Sequence, residues 1–530
     1  MNIVDFLKNS ANKYPQKIAL IYENDSFTFS KLWKLVKDFS LPIEIINQHN
    51  VISLISENSI SFIIFYLGII RSGNIVHIVP PEISETNLNN QIKSSNSQLI
   101  ICSENVFNNI SKYSKIKTQI LKFSEIKSHS EINKSSLKEN SIAHLIFTSG
   151  TTSIPKGVGI SHTMLEFTTK NIVNILGHLN SDIDILPLPL YHSFGLGCVY
   201  TSITVGSTII LHKDASNLSN LLNSIKKFKA TTFAAIPATL TKFIKFENSD
   251  LKNNFSDIRL VITNSTSIPK NTIQIFREIL VNGNLATYYG LTEASRSTFM
   301  IFQEDSSRDN SVGKPAAGVS IKIDGSSNNE ILIKGKNVIS KYWKNENADK
   351  NIIDGWLRTG DTGFLDNENY LFLKSRKDDI INIGGEKVIP MEIEEASYVD
   401  GSSFFQTFYK IAVPLSMPGI SAVGIITFLF SWNEFLFALV LGDSVVRTSP
   451  VGLYGFVGYQ KIYWGQLSAS ASLLLIPVLF FVFLFQIRIG TLLTFPFDGS
   501  LLYFGGNWQR YIFCKRYRNY LVSLAFFSPS

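Results

Sequence analysis

From residue 1 to about residue 350, short apolar runs alternate with stretches whose apolar positions recur at helical spacing. Ile52 to Ile55, Leu99 to Cys102, His144 to Thr148, Ser207 to Leu211 and Leu260 to Thr263 are the predicted strands, and Asn58 to Arg71 and Leu218 to Phe228 the clearest predicted helices. This alternation predicts an α/β fold with largely parallel sheets. Residues 127–140, rich in Ser, Lys and Glu, read as a surface connection ahead of a buried strand. After residue 410 the pattern changes. Ile420 to Leu441 is a 22-residue stretch whose one formal charge is Glu434, and Ala469 to Phe485 is a 17-residue stretch with none. As a pair separated by a polar loop, these predict an all-α membrane segment with two transmembrane helices.

A chain of 530 residues is too long for one core, so two to four domains are expected. The net charge of +7 is modest, and its basic residues are dispersed except for Arg510, Lys515, Arg516 and Arg518. That distribution gives little support to a nucleic-acid partner. Cys102, Cys198 and Cys514 are far apart and odd in number, which suggests neither a disulfide framework nor a cysteine-ligated metal. The first residues lack the charged start, long apolar core and small-residue cleavage site of a signal peptide.

The strongest chemical signal follows the strand ending at Thr148. The run Thr148-Ser149-Gly150-Thr151-Thr152-Ser153-Ile154-Pro155-Lys156-Gly157 combines small hydroxylated residues and glycine with a lysine. Such a string lets backbone amides and hydroxyls approach a polyphosphate closely while Lys156 supplies positive charge. The spacing differs from that of the P-loop of kinases and motor ATPases. A Ser/Thr-rich surface turn is the bland alternative.

Here the chain resembles the adenylate-forming superfamily of acyl-CoA synthetases, luciferases and peptide-synthetase adenylation domains, with Ser153 in place of the usual loop glycine. The family's other motifs follow in order. In Tyr288-Tyr289-Gly290-Leu291-Thr292-Glu293 the resemblance implies an aromatic residue lining the adenine site, Thr292 contacting the α-phosphate and Glu293 helping to hold magnesium. In Trp356-Leu357-Arg358-Thr359-Gly360-Asp361 it assigns Asp361 to the ribose hydroxyls, a task suited to a carboxylate that accepts from two neighbours at once. Standing alone, either segment would read as an ordinary strand turn. Ser375-Arg376-Lys377-Asp378 resembles the family's hinge, with Arg376 near ribose and phosphates, Asp378 at the pivot, and Ser375 replacing another glycine. Gly384 and Gly385 fit the loop that lines the thiol acceptor's channel, or else a plain hairpin turn. Pro189-Leu190-Tyr191-His192-Ser193-Phe194-Gly195 resembles the acyl- and aryl-acid ligases, where this histidine borders the carboxylate pocket; a packed, satisfied histidine is the alternative for His192. The heptapeptide lacks the aspartate that holds an amino acid's ammonium group, so a fatty, aryl or other non-amino acid is expected.

The family's small C-terminal domain ends near a Pro-Lys-x3-Gly-Lys signature, and none occurs after residue 378. Instead Glu395-Ala396-Ser397, Gly401, Ile411, Val413 and Pro414 resemble the coupling loop of bacterial ABC importer permeases. Phe430-Ser431-Trp432-Asn433-Glu434-Phe435 and Trp464-Gly465-Gln466-Leu467 resemble the sugar-importer branch of that family. Two partial sequences joined at a shared Glu-Glu-Ala-like string account for this layout.

The organisation expected is therefore a multi-subdomain α/β adenylate-forming domain over 1–376 and a hinge with a truncated small domain over 377–395. A permease-like fragment over 395–490 and an unassigned tail over 491–530 follow. The resemblance implies a ligase that uses ATP and Mg2+ to turn a small carboxylic acid into acyl-AMP, catalysed by Lys156, Thr292 and Glu293. CoA or a carrier protein's phosphopantetheine is the implied acceptor. An ABC ATPase subunit at 395–414, membrane contact through 420–441 and 469–485, and an inner-membrane location with the first 395 residues cytoplasmic are also expected. A permease subunit and an inactive fusion are the alternatives.

Overall fold

The computed structural model describes residues 2–38, 50–126, 141–148, 155–264, 268–377, 381–383, 386–388, 397, 402–441, 448–457 and 462–493. The chain divides into two compact units, Met1–Lys374 and Ser375–Ser530.

Among its described residues the first unit contains sheets of six, nine and five strands. The six-stranded sheet runs Ile120–Lys122, Ser97–Cys102, Val51–Ile55, Ile75–Val79, Ile142–Thr148 and Lys156–Ser161. All its pairs are parallel except the last, where the chain turns back and Thr148 faces Lys156. Every residue of Val51–Ile55 and of Ile75–Val79 is buried. Such runs, apolar except for Ser53 and His77, are expected of parallel strands covered on both faces. The strands anticipated from sequence recur within two residues at each end, and Leu260–Thr263 recurs unchanged.

The predicted helices are stopped and started by their caps. Ser59 accepts a hydrogen bond of 3.0 Å from the Phe62 amide and starts Ile60–Arg71, two residues later than expected. Asn217 caps Leu218–Phe228 in the same way at 2.9 Å. A side-chain cap satisfies an amide left unpaired in the first turn, worth about 1 kcal/mol.

The nine-stranded sheet carries the centre of the unit, with Asn284–Leu291 and Ala294–Ile301 forming an antiparallel hairpin near one edge. Its interior strands Leu260–Thr263, Thr232–Ala234, Ile183–Leu186 and Thr208–Leu211 run parallel. Phe233, Phe243, Phe255 and Phe276 pack edge to face beside these strands, their ring centres 5.8 to 6.1 Å apart. That arrangement adds roughly 0.5–1.5 kcal/mol per pair beyond area burial. Buried carboxylates are matched by donors. Asp184 accepts from Ser202 at 2.6 Å, from Ser207 at 2.5 Å and from Thr232, and Asp182 is paired with Arg259. The third sheet, led by the antiparallel strands Val319–Asp324, Glu330–Gly335 and Trp356–Leu365, holds the Asp361 segment.

The second unit begins with a short hairpin, Ile381–Ile383 against Glu386–Val388. Helices Phe404–Thr407, Val413–Trp432, Leu436–Leu441, Ser449–Tyr454 and Trp464–Leu493 follow, with a π-helical turn at Phe408–Ala412. Val413–Trp432 packs against Trp464–Leu493.

Here the expected membrane hairpin needs correcting. The stretch Ile420 to Leu441 is broken. Asn433 ends the first helix by donating to the Leu429 carbonyl at 2.9 Å, and the Glu434 carboxylate accepts from the Ala438 amide of the next, six-residue helix at 3.2 Å. The second stretch lies in a helix that opens on Gln466, Ser468, Ser470 and Ser472 and contains Pro477. Among the described residues no helix is long and apolar enough to cross a membrane, which overturns the expected spans at 420–441 and 469–485 and the inner-membrane location.

Three histidines of the first unit are buried, and burial holds them neutral. Burial pushes His77 down to about 4, while burial and then the charge of His162 push His144 down to about 3. His162 is pushed to about 4, again chiefly by burial. His144 Nδ1 meets the Tyr66 hydroxyl at 2.8 Å, and that hydroxyl lies 2.5 Å from the hydroxyl of Tyr200. An unfolded chain binds protons on these rings below about pH 6.5, whereas the folded one does not. Stability is therefore fully present above that pH and falls as pH drops toward 4. Replacing His144 by Gln is expected to remove about 1.4 kcal/mol per pH unit from the slope of unfolding free energy between pH 6 and 4. Urea denaturation of the full chain at several pH values measures it, and an unchanged slope would refute the assignment.

Candidate active site

The hairpin between Asn284–Leu291 and Ala294–Ile301 closes through only two residues, Thr292 and Glu293. Leu291 and Ala294 face one another across it, and the register shifts between Tyr289 and Leu291. Gly290 sits in that irregularity, and a Cβ there would lie 2.5 Å from the Arg296 backbone nitrogen. The sequence Gly290-Leu291-Thr292-Glu293 therefore builds a tight turn that presents a hydroxyl and a carboxylate side by side.

Lys156 comes from a different sheet, at the start of Lys156–Ser161. One side chain joins it to Glu293. Tyr342 lies beneath the lysine, its ring centre 5.9 Å from Lys156 Nζ, and its hydroxyl donates to Glu293 Oε1 at 3.2 Å. Tyr342 is held along the backbone by a bridge to Val158, and its neighbour Trp343 donates an amide to the Gly157 carbonyl at 2.8 Å. Burial, and then the negative charge of Glu293, push the Tyr342 hydroxyl well above the usual phenol range, so it stays a donor. A cation, a phenol and an anion thus stand in series at one place, drawn from positions nearly two hundred residues apart in sequence.

Neighbouring side chains on a strand point to opposite faces, and Tyr288 and Tyr289 divide accordingly. The Tyr289 hydroxyl donates to Asp361 Oδ2 at 2.7 Å, so the two motifs expected to meet a nucleoside do meet each other. Tyr288 turns the other way, into a cavity with Phe194 edge-on at 5.4 Å and the Arg296 guanidinium 5.0 Å from its ring.

His192 immediately precedes the helix Ser193–Val205 and is exposed, its ring 4.7 Å from that of Tyr191. The carbonyl of the next residue, Ser193, accepts from Arg296 Nη2 at 2.9 Å. His192 is thereby tied, through one arginine, to the strand that follows the Thr292–Glu293 turn.

Thr148 faces Lys156 at the end of its strand. Ser149, Gly150, Thr151 and Thr152 lie outside the described residues, as do Asp378, Gly384, Gly385, Glu395, Ala396 and Gly401. Arg376 belongs to the second unit, as do Ile411, in the π-helical turn, and Pro414, in the first turn of Val413–Trp432. Tyr342 and Arg296 were not anticipated. Arg296 had a signal, as the one charged side chain in the strand Ala-Ser-Arg-Ser-Thr-Phe-Met-Ile. Tyr342 stands beside Trp343 in a polar stretch that carries no pattern of its own.

Comparison with known proteins matches this arrangement to a family. The profile of the AMP-binding enzymes matches residues 7–343, and that of the binding-protein-dependent transport system inner membrane component matches residues 380–492. The 2-succinylbenzoate–CoA ligase of Bacillus subtilis (strain 168) is 28% identical over 404 residues, covering 74% of this chain and 81% of the relative. Indoleacetate–CoA ligase of Aromatoleum aromaticum is 34% identical over 266 residues, covering 47% of this chain and 50% of the relative. The solved o-succinylbenzoate coenzyme A synthetase of Bacillus subtilis, in complex with ATP and magnesium ion, superposes with a TM-score of 0.67 at 25% identity, over 75% of this chain and 84% of that one. With the family profile spanning more than half of its length and acid–CoA ligases among its relatives, the chain belongs to the AMP-binding enzymes and activates a carboxylic acid as its adenylate.

Proposed function

We propose that the cluster around Tyr342 is the adenylation centre and that the Tyr289–Asp361 pair marks the nucleoside side of it. The observation that carries this reading is the meeting of Lys156 and Glu293 on one tyrosine. In the reaction an oxygen of the acid's carboxylate bonds to the α-phosphorus of ATP. The bridging bond to the β-phosphate breaks, and pyrophosphate leaves with the electron pair. The difficulty is electrostatic, since an anion must approach a polyanion. Lys156 neutralises phosphate charge beside Thr148 and the loop 149–154, and Thr292 donates a hydroxyl to the α-phosphate. Asp361 accepts from the ribose hydroxyls, and Arg376 donates to ribose and phosphate oxygens.

Magnesium fits the donor set. Among the described residues there is no cluster of three potential metal ligands, and Mg2+ on a nucleotide is commonly held by phosphate oxygens, water and one or two carboxylates. Glu293, oriented by the Tyr342 hydroxyl, is the carboxylate that would hold it. When bound, the ion supplies further charge neutralisation on the phosphates.

His192 borders the acid, which is a non-amino acid, and CoA is the acceptor that the ligase relatives support. Asp378 serves as pivot, and Gly384 and Gly385 line the thiol channel. The segment after the hinge departs from a ligase. From residue 380 onward the similarity is to a transport component, where a ligase's small domain and its terminal lysine signature would stand. For that segment the sequence pattern supports a permease fragment of sugar-importer type, with Glu395, Ala396, Gly401, Ile411 and Pro414 as the loop that would meet an ABC ATPase subunit.

Two outcomes test the proposal. Acid-dependent exchange of pyrophosphate into ATP is expected to be about 100-fold or more below that of a ligase with the signature intact, the usual loss when one charged contact to a transition state is missing. Rates comparable to such a ligase would sink the claim that the missing lysine matters. Asp361→Ala is expected to weaken AMP binding by about 10- to 100-fold in calorimetry, since it removes a charge-assisted acceptor from the ribose. Unchanged AMP affinity in a folded variant would take Asp361 out of the site.

A further inference from the structure

Asp361 is placed by an irregularity in its own strand. Trp356–Leu365 pairs with Glu330–Gly335 so that Leu332 faces Arg358 and Glu330 faces Thr362, which leaves Ile331 alone opposite Thr359, Gly360 and Asp361. A bulge of this kind re-aims the side chains it carries, and its extra amides lose their partners in the ladder. Gly360 adopts φ +74 within it. A Cβ there would meet nothing within 4 Å, so the left-handed backbone, and not a lack of space, calls for glycine.

Side chains supply what the ladder lacks. The Thr359 hydroxyl donates to the Ile331 carbonyl at 2.8 Å and accepts from the Asp361 amide at 3.1 Å. The Gly360 amide donates to Glu330 Oε1 at 3.2 Å. Glu330 is 3% exposed, and its other oxygen accepts from Arg358 Nη1 at 2.6 Å. Arg358 is fixed in turn by Asp324, which accepts from Nη2 at 2.7 Å. Burying a carboxylate costs desolvation that its ion pair at best repays, so stability alone is a poor reason to keep one here. What Glu330 does hold is the peptide immediately before Asp361. From that peptide the Asp361 carboxylate extends to the Tyr289 hydroxyl at 2.7 Å.

We propose that Glu330, together with Thr359, is a positioning residue of the nucleoside site, fixing the bulge that aims the Asp361 carboxylate at the ribose. Glu330 acts through the Gly360 peptide and touches no substrate, while Arg358 and Asp324 keep its carboxylate in place. This rests on the reading of Asp361 as the acceptor of the ribose hydroxyls. Its consequence is selective. Recognition of the two hydroxyls depends on Glu330, and the rest of nucleotide binding does not.

Calorimetric titration of the full chain, with magnesium, by AMP and by 2′,3′-dideoxyadenosine monophosphate, which lacks both hydroxyls, tests this. The wild type is expected to bind AMP about 10- to 100-fold more tightly than the analogue. Glu330→Met, similar in length but without an acceptor, is expected to lose about 10-fold for AMP and less than about 2-fold for the analogue. Combined with Asp361→Ala it is expected to cost AMP binding nothing further, as for two residues acting as a unit. Thr359→Val, close in shape, is expected to show the same selective loss and decides the question if the methionine variant does not fold. Glu330→Gln keeps an oxygen for the Gly360 amide and is expected to recover most of the preference for AMP. Equal losses for both ligands, or a full additional loss on top of Asp361→Ala, would overturn the proposal by placing Glu330 in the fold alone. A wild type that prefers AMP and variants that keep that preference undiminished would overturn it while leaving Asp361 in its role. A wild type that binds both ligands equally refutes the ribose reading of Asp361 and this proposal with it.

Discussion

Adenylation demands that a carboxylate and a triphosphate, both anionic, be held within bonding distance, and the centre proposed around Tyr342 would meet that repulsion with charges drawn from two sheets. Positive and negative side chains must stand at fixed separations before any substrate arrives, since charges that reorganise during the reaction give away the advantage of a preformed site. A two-residue turn is a stiff mounting for Thr292 and Glu293, and the Tyr342 hydroxyl donates to the Glu293 carboxylate. Lys156 comes from another sheet, so the Tyr342–Trp343 segment, bonded to Gly157 and bridged to Val158, is the brace between the two. The fold's contribution is to make that brace rigid.

Much of this was legible in the order of residues. The mainly apolar runs at 52–55 and 260–263 read as strands, and caps such as Ser59 and Asn217 sit where helix-period patterns begin. The motif residues Lys156, Thr292, Glu293, Tyr289 and Asp361 could be named because their motifs resemble, in order, those of the adenylate-forming family. Distance in space was not legible. Tyr289 and Asp361 are 72 residues apart, and only the approach of the hairpin to the third sheet brings their oxygens to 2.7 Å. Arg296 is an isolated charge in a strand, and the sequence alone does not show which way it faces. What makes it notable, its burial and its left-handed backbone, belongs to the tertiary fold.

The second unit shows where local hydropathy misleads. Apolar content alone turned Ile420 to Leu441 into one long element, yet Asn433 and Glu434 spend their side chains on backbone groups of the adjoining helices, ending one and starting the next. Polar residues placed at a helix end act on the chain's direction far more than on its average hydropathy. The change of similarity near residue 380 precedes a change in construction, from sheets with covering helices to one short hairpin followed by helices.

Tyr288 and Tyr289 are consecutive in one strand and serve opposite chambers, Tyr288 the cavity beside Arg296 and Tyr289 the carboxylate of Asp361. That strand accordingly separates a cavity on one face from a hydrogen-bonded carboxylate on the other. Its alternation is all that assigns each ring to its room. A single inserted or deleted residue upstream in Asn284–Leu291 would exchange the two tenants without altering composition, so this strand should tolerate changes of side chain far better than changes of length.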